Sequence, residues 1–216
     1  MTESPAPARR RRGRPPAAPE DQAARQALIR AGLVHLTERG YGATALDEIL
    51  AAAGVTKGSF YHHFASKAEF GAALIEAYGA DFLAVLHRSL DRADLLPLDR
   101  LGAFAAGAEA WMAAHGYRRG CLVGNLGQEM AALPEDYRAR LQAVLADWQA
   151  ATARCLQAAQ AAGEIGPSED PEALAALFWT GWEGAVLRAK LDRDPAPLRA
   201  FIAAFLRLVS LERKTT

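Results

Sequence analysis

The chain has 216 residues, of which 51% are hydrophobic and 23% are charged, a balance typical of a protein that buries a substantial core. Its apolar runs fall short of the roughly 20 residues that a membrane-spanning helix needs, and its Arg- and Pro-rich N-terminus lacks the apolar centre of a secretory signal. Its two cysteines are too few for a disulfide framework and too far apart for a structural zinc site. We therefore expect a cytoplasmic protein with no membrane, metal or cofactor as a partner.

The net charge of zero conceals an asymmetry between the two parts of the chain. Residues 1–67 contain ten Lys and Arg against six Asp and Glu, a balance of +4, and the remainder balances to −4. Much of the positive charge lies in a Pro- and Ala-rich stretch, residues 1–20, which cannot form a core and is predicted to be disordered. We interpret it as an arm that enters the minor groove of DNA, with a solubilising tail as the alternative. The basic residues of the arm are Arg9, Arg10, Arg11, Arg12 and Arg14.

Helical periodicity starts after this arm. A first helix is predicted over 21–39, with one apolar face and an end at Gly40. Thr44, followed three residues later by Asp47, predicts the cap of a second helix.

Residues 46–70 predict two short helices joined by a tight turn and followed by a third, the pattern of a helix-turn-helix. Gly54 lies just past an apolar run, where a left-handed backbone conformation lets the chain turn. Thr56 is predicted to cap a helix of about two turns whose Phe60 and Phe64 face the core. The outward side of this helix and its cap are expected to contact phosphates and base edges of DNA. The residues concerned are Thr56, Lys57, Gly58, Ser59, Tyr61 and His62.

The remainder of the chain is also predicted to be helical. Ser66 and Glu69 form a capping box at the start of a long helix that runs to about residue 91. Proline and glycine residues divide the rest into further helices, which begin near residues 97, 134, 171 and 198.

The last two helices carry more apolar surface than either needs within one core. The final helix has a single broad apolar stripe, and the one before it, residues 172–191, is apolar on more than one side. An intrachain core explains either helix alone, but a four-helix interface across a two-fold axis satisfies both. The expected dimerisation residues are Trp179, Trp182, Val186, Phe201, Ile202, Phe205, Leu208 and Val209.

These elements predict an all-α fold with two functional parts. A three-helix helix-turn-helix domain that binds DNA is expected over 21–67, and a helical domain for ligand binding and dimerisation over 68–211, followed by a tail at 212–216. A dimer of such a protein would contact two half-sites about one helical turn of DNA apart, ~34 Å, on a roughly palindromic operator.

The spacing I-x-x-x-A-G-V-x-K-G-S-F-Y-x-H-F-x-x-K within residues 44–70 resembles the DNA-binding domain of TetR-type transcriptional regulators. The resemblance implies a dimeric repressor that a small effector releases from its operator. It also implies that Thr44 and Lys67 contact phosphates at helix N-termini. The positions that it places in the major groove are Lys57, Gly58, Tyr61 and His62.

Two further segments, residues 115–130 and 178–191, resemble those of acrylate-responsive members of this family. The effector implied is acrylate, or a related enoate or its coenzyme A thioester. Because a short acid has few atoms, its affinity must come from a charge-assisted contact and an apolar wall. The candidate cations are Arg118, Arg119 and Arg188. Candidate walls are Trp111, Trp179 and Trp182, which plain core packing would also explain, with Tyr117, Cys121 and Asn125 beside them.

Cys121 provides the alternative, because enoates accept thiolates and the cations Arg118 and Arg119 nearby would favour a thiolate. An electrophile sensor acting through Cys121, or a TetR-type regulator of another effector class, is therefore the second functional hypothesis. A small buried hydrophobe is the simpler interpretation of this cysteine.

An enzyme is the rival class of protein. The five histidines form no H-E-x-x-H pattern, no G-x-S-x-G is present, and the N-terminal glycines do not lie between a strand and a helix. We therefore predict a protein that is not an enzyme. A DNA-independent interaction module with a degenerate helix-turn-helix is the third interpretation.

Overall fold

The computed structural model describes residues 19–211, and within this range it confirms the all-α prediction. The described residues contain no β-strand beyond a single bridge between Ile165 and Ser210. The predicted arginine arm and the predicted tail lie outside the described range. The helices are α1 (Pro19–Arg39), α2 (Leu46–Ala53), α3 (Lys57–His63), α4 (Lys67–Leu90), α5 (Pro97–Ala114), α6 (Leu122–Gln128), α7 (Asp136–Ala161), α8 (Pro171–Asp192) and α9 (Ala196–Val209).

The turn between α2 and α3 forms as its residues predict. Gly54 adopts a left-handed conformation with φ of 65°, which only glycine adopts at little cost. The hydroxyl of Thr56 then accepts a hydrogen bond from the backbone N–H of Ser59 at 3.2 Å, which caps α3. Phe60 and Phe64 are buried, and both pack against Phe70 of α4. The packing of these buried side chains therefore fixes the direction in which the outward side of α3 faces.

The prediction that Thr44 caps α2 is wrong. Ala45 occupies the cap position and makes no side-chain hydrogen bond there. Thr44 is buried, and its hydroxyl donates to the carbonyl of Gly40 at 2.7 Å. The carbonyls at the end of a helix lack intrahelical partners, so the end of α1 provides a ready acceptor for this hydroxyl. Thr44 therefore holds the turn after α1.

The long helix α4 begins at the predicted cap and lies at the centre of the bundle. The Ser66 hydroxyl accepts from the N–H of Glu69 at 3.0 Å, and the Glu69 carboxylate accepts from the N–H of Ala65 at 2.7 Å. By length and composition α4 is the one helix in the described range that could cross a membrane. Several of its apolar side chains, including Leu74 and Ile75, are instead buried in the core, and α4 packs against α1, α5 and α7. A central core helix accounts for this apolar composition.

An aromatic cluster holds α4, α5, α7 and α8 together. The rings of Phe82 and Trp148 lie 4.4 Å apart between centroids, and those of Trp148 and Trp179 lie 5.0 Å apart. Trp179 is fully buried and donates from Nε1 to the hydroxyl of Thr152 at 3.0 Å. Such contacts stabilise this part of the bundle, because aromatic side chains supply large buried areas with specific geometry.

Most of the predicted dimerisation residues lie inside the protomer. The broad stripe of α9 packs onto α5 and α8, so that the intrachain core takes the apolar residues that the sequence assigned to an interface. Phe201 and Ile202 are half-buried and Leu208 is exposed. The remaining five are buried, and this corrects their assignment: Trp179, Trp182, Val186, Phe205 and Val209.

Candidate DNA-binding face and effector cavity

The outward side of α3 presents side chains that are free to move toward a ligand. Lys57, Tyr61 and His62 are exposed, and Tyr61 packs its ring edge-to-face on the buried Phe60 with centroids 5.2 Å apart. The ammonium of Lys57 lies 3.9 Å from a carboxylate oxygen of Asp47. An exposed ion pair of this length contributes little, so Lys57 can exchange its partner for a phosphate at small cost.

Lys67 and Thr44 are less available than the sequence predicts. The ammonium of Lys67 donates to the carbonyl of Thr44 at 2.6 Å and to that of Tyr41 at 3.2 Å, and it lies 4.3 Å from the centre of the Tyr41 ring. Burial lowers the pKa of Lys67 from its usual value. Two of its three donors therefore hold the turn between α1 and α2. Since the hydroxyl of Thr44 is also engaged in this turn, both residues have structural roles in the absence of DNA.

A cavity of about 410 Å³ lies between α1, α4, α5, α8 and the segment before α6. Its wall is mostly apolar, with Phe82 and Phe104 from the core and the half-exposed Trp111 among its side chains. A volume of this order is typical of sites that bind small organic molecules. The polar side chains of the wall are Thr37, Tyr78, Asp81, Ser89, Arg119, Cys121 and Glu183.

Arg119 is the one arginine or lysine among the residues that line this cavity. Its guanidinium lies 5.0 Å from the centre of the Trp111 ring, and Nε donates to the hydroxyl of Thr37 at 3.0 Å. Burial lowers the pKa of Arg119, but a guanidinium remains charged in proteins. The contact through Nε uses one of five N–H donors, which leaves the terminal nitrogens for an anionic ligand.

Cys121 lies beside an acid and a phenol in the cavity wall. Tyr78, Cys121 and Glu183 all line the cavity, and the three groups lie close enough to influence one another's pKa. Burial raises the pKa of Cys121 well above its usual value, and Glu183 raises it further. The expectation that Arg118 and Arg119 favour a thiolate is therefore wrong, because burial and the adjacent acid act on the thiol instead.

The structure brings together four of the nine predicted ligand-binding residues. Trp111, Arg119, Cys121 and Trp182 line the cavity. The others do not, and each has another role or position. Trp179 belongs to the aromatic core, Arg118 is exposed, Tyr117 is half-buried outside the cavity wall, Arg188 pairs with Asp192 on the surface of α8, and Asn125 binds the end of α1.

The C-terminal end of α1 is held by side chains from the ligand-binding part of the chain. Asn125 donates to the carbonyls of Leu36 and Thr37, each at 3.0 Å. Lys190 donates to the carbonyls of Thr37 and Glu38 at 3.2 and 2.9 Å. We call these contacts, together with that between Arg119 and Thr37, the α1 clamp. The carbonyls of Thr37 and Glu38 are among those that a helix end leaves without intrahelical partners, whereas that of Leu36 also accepts from the N–H of Gly40.

A further contact ties the turn after α1 to the end of α6. The carboxylate of Glu129 accepts hydrogen bonds from the backbone N–H groups of Tyr41 and Gly42, at 3.1 and 2.7 Å. Glu129 was not predicted from the sequence as a functional residue, and neither were Thr37, Tyr78, Glu183 and Lys190. The charged residues within otherwise apolar helical stretches, Glu183 and Lys190 in α8, were the available signal, because a buried charge needs a specific partner.

Two family profiles match the chain. Residues 28–74 match bacterial regulatory proteins of the tetR family, and residues 97–205 match the tetracyclin repressor-like C-terminal domain. The transcriptional regulator AcuR of Cereibacter sphaeroides is 56% identical over 207 residues, covering 95% of this chain and 94% of AcuR. The HTH-type transcriptional repressor DhaR of Mycobacterium sp. is 35% identical over 179 residues, covering 82% of this chain and 88% of DhaR.

A solved structure shows the same fold. The regulatory protein TetR from Rhodobacter sphaeroides superposes with a TM-score of 0.85 at 57% identity, covering 86% of this chain and 98% of that one. The matched proteins are transcriptional regulators, which confirms the prediction that the protein is not an enzyme. The chain belongs to the TetR family of DNA-binding, ligand-responsive transcriptional repressors.

Proposed function

We propose that this protein is a cytoplasmic homodimer that binds a palindromic operator through α3 of each protomer and leaves it when acrylate or a closely related enoate enters the 410 Å³ cavity. The observation that carries the proposal is the position of Thr37. This residue lines the cavity, and its hydroxyl and carbonyl belong to the α1 clamp that connects the cavity to the DNA-binding helices.

The operator contacts are assigned to the exposed side of α3. Lys57, Tyr61 and His62 extend from a helix short enough to enter a major groove, and Gly58 lets the helix approach a phosphate closely. Thr56 and Ser59 lie at the start of α3, where backbone N–H groups favour a phosphate. The arginine arm of residues 9–14 adds a minor-groove contact from the same end of the chain.

The dimer interface is assigned to leucines that the protomer leaves exposed. Leu177, Leu187 and Leu191 fall on one side of α8 and expose 47%, 39% and 68% of their surface. Leu208 of the neighbouring helix α9 is 53% exposed. Apolar side chains aligned on two adjacent helices are buried efficiently by the same two helices of a second copy, in a four-helix interface. This set replaces the buried residues that the sequence analysis assigned to the interface.

Arg119 is the proposed carboxylate-binding residue, stacked on Trp111. Acrylate has five non-hydrogen atoms, and the best small ligands gain about 1.5 kcal/mol per atom, so its dissociation constant has a floor of roughly 3 µM. Much of that affinity must come from the charge-assisted hydrogen bonds to the guanidinium. The cavity is larger than such an acid fills, which also leaves room for a longer enoate or the acyl end of a thioester.

Release follows from competition at Arg119. A carboxylate that draws the guanidinium toward the cavity takes Nε from the Thr37 hydroxyl and loosens one contact of the α1 clamp. α4 starts beside the DNA-binding helices and lines the cavity with Tyr78 and Phe82. A tilt of α4 on effector binding would therefore also displace the DNA-binding helices. A hundredfold loss of operator affinity needs about 3 kcal/mol of coupling, within the usual allosteric range.

Reversible binding is proposed rather than covalent sensing through Cys121. The thiol lines the cavity, but its raised pKa keeps it protonated at neutral pH, and the thiolate is the reactive form. Intact mass measurement after exposure to acrylate is expected to show the unmodified chain.

The test is an electrophoretic mobility shift with the DNA upstream of the protein's own gene. We expect a specific shift that millimolar acrylate abolishes. The Arg119→Gln variant should bind the same DNA yet resist acrylate, because it keeps hydrogen-bonding capacity and loses the charge. Arg118→Gln is the matched control, since Arg118 is exposed and outside the cavity, and it should behave like the wild type. A specific shift that acrylate leaves unchanged would remove the effector proposal, and no specific shift would remove the operator proposal.

A further inference from the structure

Glu183 is a carboxyl group in the cavity wall without a cationic partner. No Lys, Arg or His of the described residues forms an ion pair with it, and its neighbours in the cavity wall include the Cys121 thiol and the Tyr78 phenol. It lies on α8, packed against the first turn of α6, where a Cβ at position 124 would overlap its Oε2. Gly124 therefore leaves the space in which this carboxyl is held.

This environment disfavours the charged form of the acid. Burial raises the pKa of Glu183 to about 7, whereas the hydrogen bond from the Cys121 thiol lowers it. Tyr78, which faces the same thiol, is neutral, because burial raises its pKa well above the usual value. Arg119 and Asp81 lie elsewhere in the wall of the same cavity. Lys190 lines an adjoining cavity of about 260 Å³, and its ammonium donates hydrogen bonds to the end of α1.

An anion that enters this cavity meets Glu183 in a medium of low dielectric constant. Two carboxylates in one such site cannot both stay ionised without a large electrostatic cost, and one of them takes up a proton. Acrylate should keep its negative charge and Glu183 should take up the proton, because Arg119 can bind acrylate and no cation of residues 19–211 pairs with Glu183. A protonated Glu183 also gains a function, since its O–H becomes a hydrogen-bond donor to a carboxylate oxygen.

We propose that Glu183 is a second effector-binding residue, which binds a short-chain carboxylate in its acid form, so that effector binding takes up one proton per site. The inference rests on the proposed function in one respect, the entry of a carboxylate into this cavity. It assigns Arg119 and Glu183 complementary roles, the first as a permanent cation and the second as a donor that exists only when protonated.

The sign of the pH dependence follows. Below pH 7 the acid form is already present and acrylate binds without proton uptake, whereas above pH 7 each binding event must protonate Glu183. With a free-protein pKa of about 7, the dissociation constant of acrylate should be roughly tenfold larger at pH 8 than at pH 6. Acrylate itself stays ionised throughout this range.

The experiment is titration calorimetry of the full chain with acrylate at pH 6 and pH 8, in two buffers of different ionisation enthalpy at each pH. We expect uptake of close to one proton per site at pH 8 and close to none at pH 6. Glu183→Gln, which mimics the acid form, should abolish both the uptake and the pH dependence, with an affinity at pH 8 within about twofold of wild type at pH 6. Asp81→Asn, at the exposed carboxylate of the same cavity, should retain both.

The outcomes separate the two proposals. Arg119-dependent binding of acrylate with equal affinity at both pH values and no proton uptake would overturn the role of Glu183 and leave the proposed function intact. Proton uptake that persists in Glu183→Gln would also overturn it, since another group would be the acceptor. No binding of acrylate at either pH would overturn the effector proposal, and the role of Glu183 with it. Even if Glu183→Gln folds poorly, the wild-type measurement can overturn the role of Glu183, because binding without proton uptake at pH 8 excludes it.

Discussion

The DNA-binding face and the effector cavity are built in opposite ways. The exposed side of α3 comes from seven consecutive residues, Lys57–His63, whose direction depends on two buried phenylalanines and one cap. The cavity wall comes from five parts of the chain between Leu33 and Val186, and several of its side chains also belong to the core. Function is thus carried by exposed groups in the first region and by buried groups in the second.

The difference teaches how mutations should act in each region. On α3, a change of an exposed side chain alters what the helix binds and leaves the free energy of unfolding nearly unchanged. In the cavity, the same buried side chain can both fill the core and contact the ligand, so a mutation there should change stability and ligand affinity together. A side chain of the cavity that is half-exposed should behave like one on α3, which makes the comparison testable with two tryptophans of the same wall.

The largest expected effect is that of Trp182→Ala. Trp182 is buried, with its ring 5.4 Å from that of Phe104, so removing it should lower the free energy of unfolding by ~3–5 kcal/mol. Trp111→Ala removes the same side chain where it is 42% exposed. It should cost less than about 1 kcal/mol of stability and weaken acrylate binding through loss of the contact with Arg119. Urea unfolding and calorimetry measure the two quantities, and equal destabilisation by both variants would contradict the comparison.

The next effect concerns operator binding. Lys57→Ala and Tyr61→Ala should each weaken it by ~1–3 kcal/mol, and the lysine variant should also reduce the salt dependence by about one ion. Neither should change stability by more than about 0.5 kcal/mol, although loss of the Tyr61 ring removes an edge contact with Phe60. Fluorescence anisotropy with labelled operator at several salt concentrations provides the measurement. Arg154→Ala, an exposed change on α7, is the control that should leave affinity and salt slope unaltered.

The sequence predicted the DNA-binding region well because its determinants are local. Gly54, Thr56 and Phe60 act within a few residues of the positions that they control, so their spacing along the chain is their spacing in space. The failure of Thr44 as a cap has the same explanation in reverse. The Thr44 hydroxyl could either accept from a backbone N–H of α2 as a cap or donate to the carbonyl at the end of α1. It makes the second contact, because the fold buries this turn.

The cavity could not be predicted in the same way, because its parts meet only through long-range packing. Trp111, Trp179 and Trp182 look equivalent in the sequence, yet the rotation of each helix in the bundle decides which lines the cavity and which lies in the core. Likewise, the apolar stripe of α9 was sufficient to predict burial, but whether the same chain or a second copy covers it depends on the packing of α5 and α8.

A smaller effect tests the connection between the two regions. Asn125→Ala removes two hydrogen bonds to the end of α1 while leaving the cavity wall unchanged. Acrylate should bind with nearly wild-type affinity, but its effect on operator affinity should fall by about 1 kcal/mol, roughly fivefold, because two hydrogen bonds of the α1 clamp are lost. The quantity to measure is the ratio of operator dissociation constants with and without saturating acrylate. Gln128→Ala on the exposed side of α6 should keep the full ratio, and a full ratio in Asn125→Ala would exclude the clamp as the connection.

The smallest expected effect tests how much the cap of α3, which helps to orient this helix, contributes to operator binding. Thr56→Ala removes the cap of α3, in which the hydroxyl accepts from the N–H of Ser59, and should lower the free energy of unfolding by about 1 kcal/mol. Thr56→Ser keeps the hydroxyl and should restore most of this loss, together with operator affinity, because a serine caps a helix as well as a threonine does. If Thr56→Ser restores stability without restoring operator affinity, the methyl group of Thr56 must itself contact DNA. If it restores neither, the cap is not what orients α3, and the packing of Phe60 and Phe64 alone must fix the direction of the helix.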